Sequence, residues 1–424
     1  MPRSLVLTVA AALFACMPRG DAVPPEANPE LRVPVVVRGG LVLVPVRLDG
    51  LDRELTMVLD TGAPTVLRTE IARELGLTMS ATSGLEDAAG ARLASTAIEL
   101  PGVQVGAFQM RRVSAFAAEL PDFAEQCVQI DGFLGVGAER GSGFLDRTAI
   151  EIDYAGQTIA LARSGDTLAP GGSTVRVQRH ELTLDGASVV MPALAEIELG
   201  GRRLWAILDT GNNGSISMTP GVFESLGRSF DEPALVQRTG ALSQTAMGVR
   251  LGVSYEGRLD ALGLGDMTVR GVPITVERGD GSGAEPIGAR RILLGYHLLR
   301  NFRVVLDIAG GFARLVPVAG ADPSAGARGL GFSWRDVEGK ISVVTLVVGG
   351  PAARAGIAVG DELVAVDDVV LRTGDRAGQC EAREVIEAAG DRMLGIRVRH
   401  GSAEQLVSLR AEPVLPTIDV GVRP

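Results

Sequence analysis

Two copies of the tripeptide Asp-Thr-Gly are the residues of this sequence best suited to chemistry. They lie at 60–62 and 209–211, each after an apolar stretch. Two carboxyl groups about 3 Å apart share a proton, because both cannot ionise at low cost. The ionised group can take a proton from water while the protonated group polarises a carbonyl. The pair predicts hydrolysis by general acid–base catalysis without a cofactor or metal, with Asp60 and Asp209 as the catalytic residues.

The two tripeptides lie inside a longer internal repeat. Residues 44–62 and 195–211 both have the pattern of a strand, a glycine turn, a second strand and the tripeptide. Equivalent segments follow in the same order in both copies: a short helix opened by threonine, an apolar-apolar-glycine element, and a strand with an aspartate turn (69–76 and 219–227, 133–135 and 293–295, 144–156 and 298–310).

This repeat predicts a mainly β fold with duplicated barrel lobes related by a pseudo-twofold axis. We place lobe 1 at 34–164 and lobe 2 at 190–318, joined by residues 165–189. An alternative is that Asp60 and Asp209 only stabilise tight turns, since Asp-Thr-Gly is a common turn sequence. The duplication favours a catalytic pair, because it supplies two equivalent half-sites in one chain and predicts a monomer.

The tripeptides in this setting resemble the active-site motifs of retropepsin-like and pepsin-like aspartic peptidases. The resemblance implies that Thr61 and Thr210 interlock across the pseudo-twofold axis. It also implies that Gly62 and Gly211 let the backbone approach the carboxylates. Asn212 departs from the family pattern, which has Ala, Ser or Thr beside the catalytic glycine.

The same resemblance implies a flap hairpin in each lobe. Lobe 1 offers the turn at 87–90, and lobe 2 offers 239–241. Neither segment carries the tyrosine of pepsin flaps, which favours the retropepsin-like branch.

The C-terminal part, after a small-residue linker at 319–328, predicts a separate domain at 329–412. Its Gly-Leu-Gly-Phe segment and the run from 349 to 371 resemble a PDZ domain, a small α/β fold. The resemblance implies that the amides of Leu330, Gly331 and Phe332 receive a peptide C-terminal carboxylate. Alternatively, the domain packs on the lobes without binding a ligand.

The N-terminal 22 residues have the pattern of an export signal, with Arg3 followed by a short apolar run. Cys16 lies in a sequence that resembles a bacterial lipobox, which predicts lipid attachment at Cys16 and a periplasmic or outer-membrane-anchored location. Cleavage near Ala22, or a cysteine in the apolar run by chance, are the alternatives. A lipid anchor would be the chain's one connection to a membrane.

The net charge, the cysteines and the histidines argue against several kinds of partner and site. The net charge of −10 argues against nucleic acid as a partner. Cys127 and Cys380 fall in different predicted domains, so we do not expect a disulfide between them. The three histidines are scattered and pair with no cysteine at zinc-ligand spacing (His180, His297, His400).

The sequence therefore predicts an aspartic endopeptidase that acts on protein or peptide substrates, with a PDZ domain that binds peptide C-termini or gates substrate. Two alternatives remain open. One is a non-catalytic peptide-binding protein in which Asn212 marks the loss of lobe 2 chemistry. The other is an adaptor that functions mainly through the PDZ domain.

Overall fold

Strands with alternating or continuous apolar residues dominate the computed structural model, which is mainly β. It describes residues 32–79, 82–86, 92–121, 123, 127–137, 141–184, 187–245, 248–279 and 291–415. The predicted signal with Cys16 and the predicted lobe 1 flap turn lie outside these residues. None of the helices in the described ranges is both long and apolar enough to cross a membrane.

The part of lobe 1 that the structure describes forms eleven strands and one short helix: β1 (Arg32–Pro34), β2 (Val36–Arg38), β3 (Leu41–Leu48), β4 (Leu55–Pro64), β5 (Val66–Arg68), α1 (Thr69–Glu74), β6 (Thr82–Glu86), β7 (Arg92–Val105), β8 (Phe108–Ala118), β9 (Gly132–Val136), β10 (Ala149–Asp153) and β11 (Thr158–Ala162).

The described residues of lobe 2, which takes in part of the predicted connection 165–189, form ten strands and two short helices: β12 (Ser173–Leu184), β13 (Ala187–Leu199), β14 (Arg202–Leu208), β15 (Ile216–Met218), α2 (Pro220–Ser225), β16 (Val236–Thr245), β17 (Gly248–Leu264), β18 (Met267–Gly279), β19 (Ile292–Leu294), α3 (Tyr296–Leu299), β20 (Phe302–Asp307) and β21 (Phe312–Pro317).

The two lobes repeat the same strand pairings. In lobe 1, β4 pairs in parallel with β9, and β5 pairs antiparallel with β9 and parallel with β8. In lobe 2, β14 pairs in parallel with β19, and β15 pairs antiparallel with β19 and parallel with β18. The internal repeat of the sequence is therefore a repeat of topology.

The lobes join through a shared antiparallel sheet in the order β1-β11-β10-β20-β21-β12. Its centre pairs the two repeated strands, with Ile150 opposite Leu306 and Asp153 opposite Arg303. Apolar residues from both lobes form one continuous core cluster beneath this sheet and the barrels. Because half of the sheet comes from each lobe, both Asp-Thr-Gly half-sites are supported by the same sheet.

The repeated aspartates in this sheet have a structural role. Asp153 accepts a hydrogen bond from the Gly156 amide at 2.8 Å, and Asp307 accepts one from the Gly310 amide at 2.6 Å. Each carboxylate closes the turn after its strand, which explains why aspartate recurs at both positions of the repeat.

The C-terminal domain contains eight strands and two helices: β22 (Arg328–Gly329), β23 (Phe332–Val337), β24 (Lys340–Val347), α4 (Pro351–Arg354), β25 (Glu362–Val366), β26 (Val369–Val370), α5 (Arg376–Ala388), β27 (Leu394–His400), β28 (Ala403–Leu409) and β29 (Glu412–Pro413). Its apolar residues form a core cluster of their own. The first residue of α5 follows Asp375, which caps the helix by accepting the Gly378 amide.

A disulfide joins Cys127 of lobe 1 to Cys380 in α5, with 5.6 Å between the Cα atoms. The sequence-based expectation that these cysteines stay unpaired is therefore wrong. It failed because assignment to separate domains does not tell which surfaces the domains bring together. Here α5 docks on lobe 1, and Arg376 at its start donates to the Val128 carbonyl at 2.7 Å.

Candidate active site

The apolar strands bring the two Asp-Thr-Gly segments to the interface between the lobes. Asp60 lies in β4, directly after Leu59, which pairs with Leu134 of β9. Asp209 follows Leu208, which pairs with Leu294 of β19. The apolar-apolar-glycine elements of the sequence are these neighbouring strands, and each fixes one catalytic loop from the side.

The two aspartates are brought together as a buried pair. Each is only 8 % exposed, and their carboxyl groups hydrogen-bond each other. A Cβ atom on Gly62 would lie 2.7 Å from the carboxyl carbon of Asp209, and a Cβ on Gly211 would overlap the Asp60 carboxyl. Glycine is therefore required at both positions so that each loop can approach the carboxylate of the other lobe.

Thr61 and Thr210 interlock across the pseudo-twofold axis. The Thr61 amide donates to Thr210 Oγ1, and the Thr210 amide donates to Thr61 Oγ1, both at 3.1 Å. Each hydroxyl then donates to a backbone carbonyl of the opposite lobe, Thr210 to Leu59 at 2.6 Å and Thr61 to Leu208. All these groups are buried, so the network holds the two loops in a fixed relation.

Burial and mutual proximity shift the titration of the pair. Burial raises the pKa of Asp60 to about 6, although the backbone amides of Gly62 and Ala63 act in the opposite direction. Burial, followed by the charge of Asp60, raises the pKa of Asp209 well above its ordinary value. The two carboxyl groups therefore titrate as a pair that keeps one proton more readily than an isolated aspartate does.

Asn212 uses its side chain within its own loop. Its Oδ1 accepts the Gly214 amide at 2.7 Å, and its Nδ2 lies 3.4 Å from Ser217 Oγ. The Asp209 carboxylate accepts a hydrogen bond from the backbone amide of Asn212, just as the Asp60 carboxylate accepts one from the amide of Ala63. The contact with the carboxylate therefore does not depend on the side chain that departs from the family pattern.

Two supporting hydroxyls were not identified from the sequence. Thr65 Oγ1 bonds both the amide and the carbonyl of Gly135 at 3.1 Å. Ser215 occupies the equivalent place in lobe 2, but its buried Oγ has no hydrogen-bond partner among the described residues. The signal that could have found them is their position, since each lies shortly after a catalytic loop and directly before an apolar strand.

The lobe 2 segment 239–241 is not a turn. It lies inside β16, whose hairpin with β17 reverses after Thr245, opposite Gly248. In lobe 1, β6 and β7 form the corresponding hairpin around the predicted turn, with Glu86 opposite Arg92. Both hairpins follow the helix after their catalytic loop, which is the place of a flap in the repeat.

Leu330, Gly331 and Phe332 form the connection between β22 and β23. Gly331 has a φ of +82°, a conformation that favours glycine. The carbonyl of Leu330 accepts the Ala352 amide, and that of Gly331 accepts the Val347 amide. These carbonyls therefore bond toward α4 and the end of β24.

The space between β23 and α5 is bordered by apolar and aromatic side chains. Phe332, Val385 and Ile386 are partly buried against the domain core. Arg383 of α5 crosses to β23, where its guanidinium lies 4.4 Å from the ring centroid of Trp334.

Comparison with known families matches two segments of the chain. Residues 44–138 match the family model described as aspartyl protease, and residues 343–397 match the model described as PDZ domain. The chain thus has an aspartyl protease region in its N-terminal part and a PDZ domain at its C-terminal end, as the sequence motifs predicted.

The chain is also similar to solved structures. An aspartic proteinase from Irpex lacteus has 14 % identity and a TM-score of 0.39, covering 68 % of this chain and 97 % of that one. Basic 7S globulin from soybean has 12 % identity and a TM-score of 0.35, covering 69 % and 97 %.

The HtrA3 PDZ domain, solved with a phage-derived ligand, has 25 % identity and a TM-score of 0.17. It covers 20 % of this chain and 86 % of its own. No curated protein matches the chain.

Proposed function

We propose that the protein is an aspartic endopeptidase in which Asp60 and Asp209 activate a water molecule. The observation that carries this proposal is the interlocked, buried carboxyl pair supplied by both lobes of one chain. The aspartyl protease match in the N-terminal region supports a peptidase. A pair that served only as turn residues would not need two glycines that admit the opposite carboxylate.

In the proposed mechanism the ionised Asp60 removes a proton from water. The resulting hydroxide attacks the scissile carbonyl, and Asp209 donates its proton to the carbonyl oxygen. A tetrahedral diol forms. Asp60 then delivers the proton it gained to the amide nitrogen, the C–N bond breaks, and a diol proton returns to Asp209. The pKa values of both carboxyl groups are raised, which supports a pair that holds one proton between an ionised and a protonated member.

Cleavage of a mixed peptide library by the purified protein, from about pH 3 to 8, tests this proposal. Asp60→Asn and Asp209→Asn serve as paired variants, since each preserves shape and removes one titrating group. Cleavage that disappears in both variants supports the two-lobe dyad. Absence of cleavage by the wild type at every pH, with peptide binding retained, would favour the alternative of a non-catalytic peptide-binding protein.

We further propose that the PDZ domain binds peptide C-termini between β23 and α5. The PDZ match and the apolar border formed by Phe332 and Ile386 support this proposal. Gly331→Val should abolish binding of a carboxylate-terminated peptide, because a side chain there would contact Pro351, about 3.2 Å away, and strain a positive φ. Equal binding of the amidated peptide to the wild type would contradict carboxylate recognition.

Export and lipid attachment at Cys16 are also proposed. A disulfide between Cys127 and Cys380 fits an oxidising compartment such as the periplasm. Mass spectrometry of the mature N-terminus in a bacterial host provides the test. A diacylglycerol adduct on Cys16, lost in Cys16→Ser, is the expected result, and a mature chain that begins near residue 23 would contradict it.

A further inference from the structure

The first strand of the lobe 2 hairpin is also an edge strand of the PDZ sheet. Arg238, Thr239 and Gly240 of β16 pair antiparallel with Val347, Leu346 and Thr345 of β24. The Val348 amide also donates to the Gln237 carbonyl at 2.8 Å. The hairpin that occupies the flap position is therefore held by backbone hydrogen bonds to another domain.

Gly240 makes this pairing possible. Its φ is +109°, and a Cβ atom at this position would overlap the carbonyl oxygen of Val344. Val344 lies at an irregularity in β24, where the register with β23 shifts between Ser333 and Trp334. A side chain on Gly240 would therefore force the two domains apart at the point where they pair.

The hairpin is continuous with the elements that carry Asp209. β17 pairs with β13 through Leu262 and Leu199, and β18 pairs with β15 directly after the catalytic loop. A displacement of β16 is thus transmitted to the lobe 2 half-site through paired strands and not through a free loop.

The opposite side of the PDZ domain is attached to lobe 1. The Cys127–Cys380 disulfide anchors α5 covalently. Around it, Arg376 donates to the Val128 carbonyl at 2.7 Å, and Arg38 pairs with Glu384 at 3.0 Å. The PDZ domain therefore connects a fixed point on lobe 1 with the flap hairpin of lobe 2.

We propose that the PDZ domain positions the lobe 2 flap hairpin relative to the lobe 1 half-site, with Gly240 as the positioning residue and the disulfide as the fixed anchor. This inference rests on the proposed peptidase function for its catalytic consequence. β23, which borders the proposed peptide site, pairs with β24, so a peptide bound along β23 lies one strand away from the contact between β24 and β16.

Hydrogen exchange in the inactive Asp60→Asn background tests the positioning without any need for activity. Gly240→Ala should raise exchange about tenfold in the paired segments 236–240 and 345–348, because the strands separate. Gly201→Ala is the matched control, since it has a positive φ in a lobe 2 turn with no atom near its Cβ position. Unchanged protection of β27 shows that the PDZ domain remains folded. Equal exchange in Gly240→Ala and the control would overturn the proposal.

A second variant removes the anchor and leaves the strand pairing in place. Cys127→Ser with Cys380→Ser should raise exchange in 236–240, and in an active background should raise KM about fivefold while kcat stays within about twofold. Arg73→Gln, which removes an exposed ion pair within lobe 1 that does not involve the PDZ domain, is the control. Exchange and KM that both stay at wild-type values would contradict the anchoring role. If the variants alter exchange as expected but the wild type cleaves no peptide, the peptidase function is rejected and the positioning role stands.

Discussion

The Asp-Thr-Gly loops of the two lobes bring their aspartates together with different supports. In lobe 1, the Thr65 hydroxyl bridges both backbone groups of Gly135. Lobe 2 has one more residue between its aspartate and Ser215 than lobe 1 has before Thr65. There the Asn212 side chain holds the loop through Gly214, and Ser215 Oγ is left unpartnered among the described residues.

This difference shows which parts of the site the chemistry requires. The features that both lobes share are those that contact the carboxylates or cross the pseudo-twofold axis: the aspartates, the threonines and the glycines. Features that only brace a loop against its own lobe have diverged. The predictions below separate these two groups, beginning with the change of greatest effect.

The first prediction concerns the aspartates, which should be equally indispensable. Asp60→Asn and Asp209→Asn should each lower kcat by about a thousandfold or more, since each removes one of the two proton-transferring groups. Initial rates on a peptide found in the library screen provide the measurement. Substantial residual activity in only one variant would show that the two half-sites are not equivalent.

The second prediction concerns the interlocked threonines. Thr61→Val and Thr210→Val should each lower the free energy of unfolding by about 2 kcal/mol, because the opposite buried amide loses its acceptor. The double variant should lose less than the sum, since both residues belong to one network. Denaturant unfolding measures these values. Strictly additive losses would indicate that the two bonds act independently.

The third prediction uses the raised pKa values of the dyad. Protons bind more tightly to the folded pair than to the unfolded chain, so the dyad's contribution to stability is fully present below about pH 4 and is lost as pH rises through the pKa of Asp60, about 6. Asp60→Asn removes one of the two titrating groups, so the variant loses less stability as pH rises. It should therefore be more stable than the wild type at pH 7 by about 1–3 kcal/mol. Melting temperatures at pH 4 and pH 7 provide the test, and a wild type that gains relative stability at pH 7 would contradict it.

The fourth prediction tests the divergent supports directly. Thr65→Val should cost about 1–3 kcal/mol, because the buried Gly135 amide loses its acceptor, while the Gly135 carbonyl keeps the Leu145 amide as a donor. Ser215→Ala should change stability by less than about 0.5 kcal/mol, because no hydrogen bond is lost. Equal losses in the two variants would show that Ser215 has a partner in solution and that the lobes are braced alike.

Much of the protease region was predictable because it occurs twice. The order of strands around Asp60 and Asp209 follows from the repeat, and the positions of both apolar-apolar-glycine elements follow with it. The roles of Thr65 and Asn212 were not predictable, because they depend on which backbone groups a folded loop leaves without a partner.

The contacts between domains could not be predicted for a different reason. Gly240 is an ordinary glycine in the sequence, and only the approach of Val344 from another domain explains it. Cys127 and Cys380 carry no local pattern, since their pairing depends on the docking of α5 against lobe 1. Local sequence predicts elements and repeats, whereas domain docking depends on surfaces assembled from distant segments.

The disulfide also fixes an order of events during biosynthesis. Cys127 and Cys380 are separated by 253 residues, and domains form from the N-terminus onward as the chain emerges. Lobe 1 therefore carries a lone thiol until both lobes and the PDZ domain have been made. Closing so long a loop removes up to about 5 kcal/mol of chain entropy from the unfolded state. The oxidation of both thiols to the Cys127–Cys380 disulfide, which needs a two-electron oxidant from outside the chain, thus marks a chain whose last domain has docked.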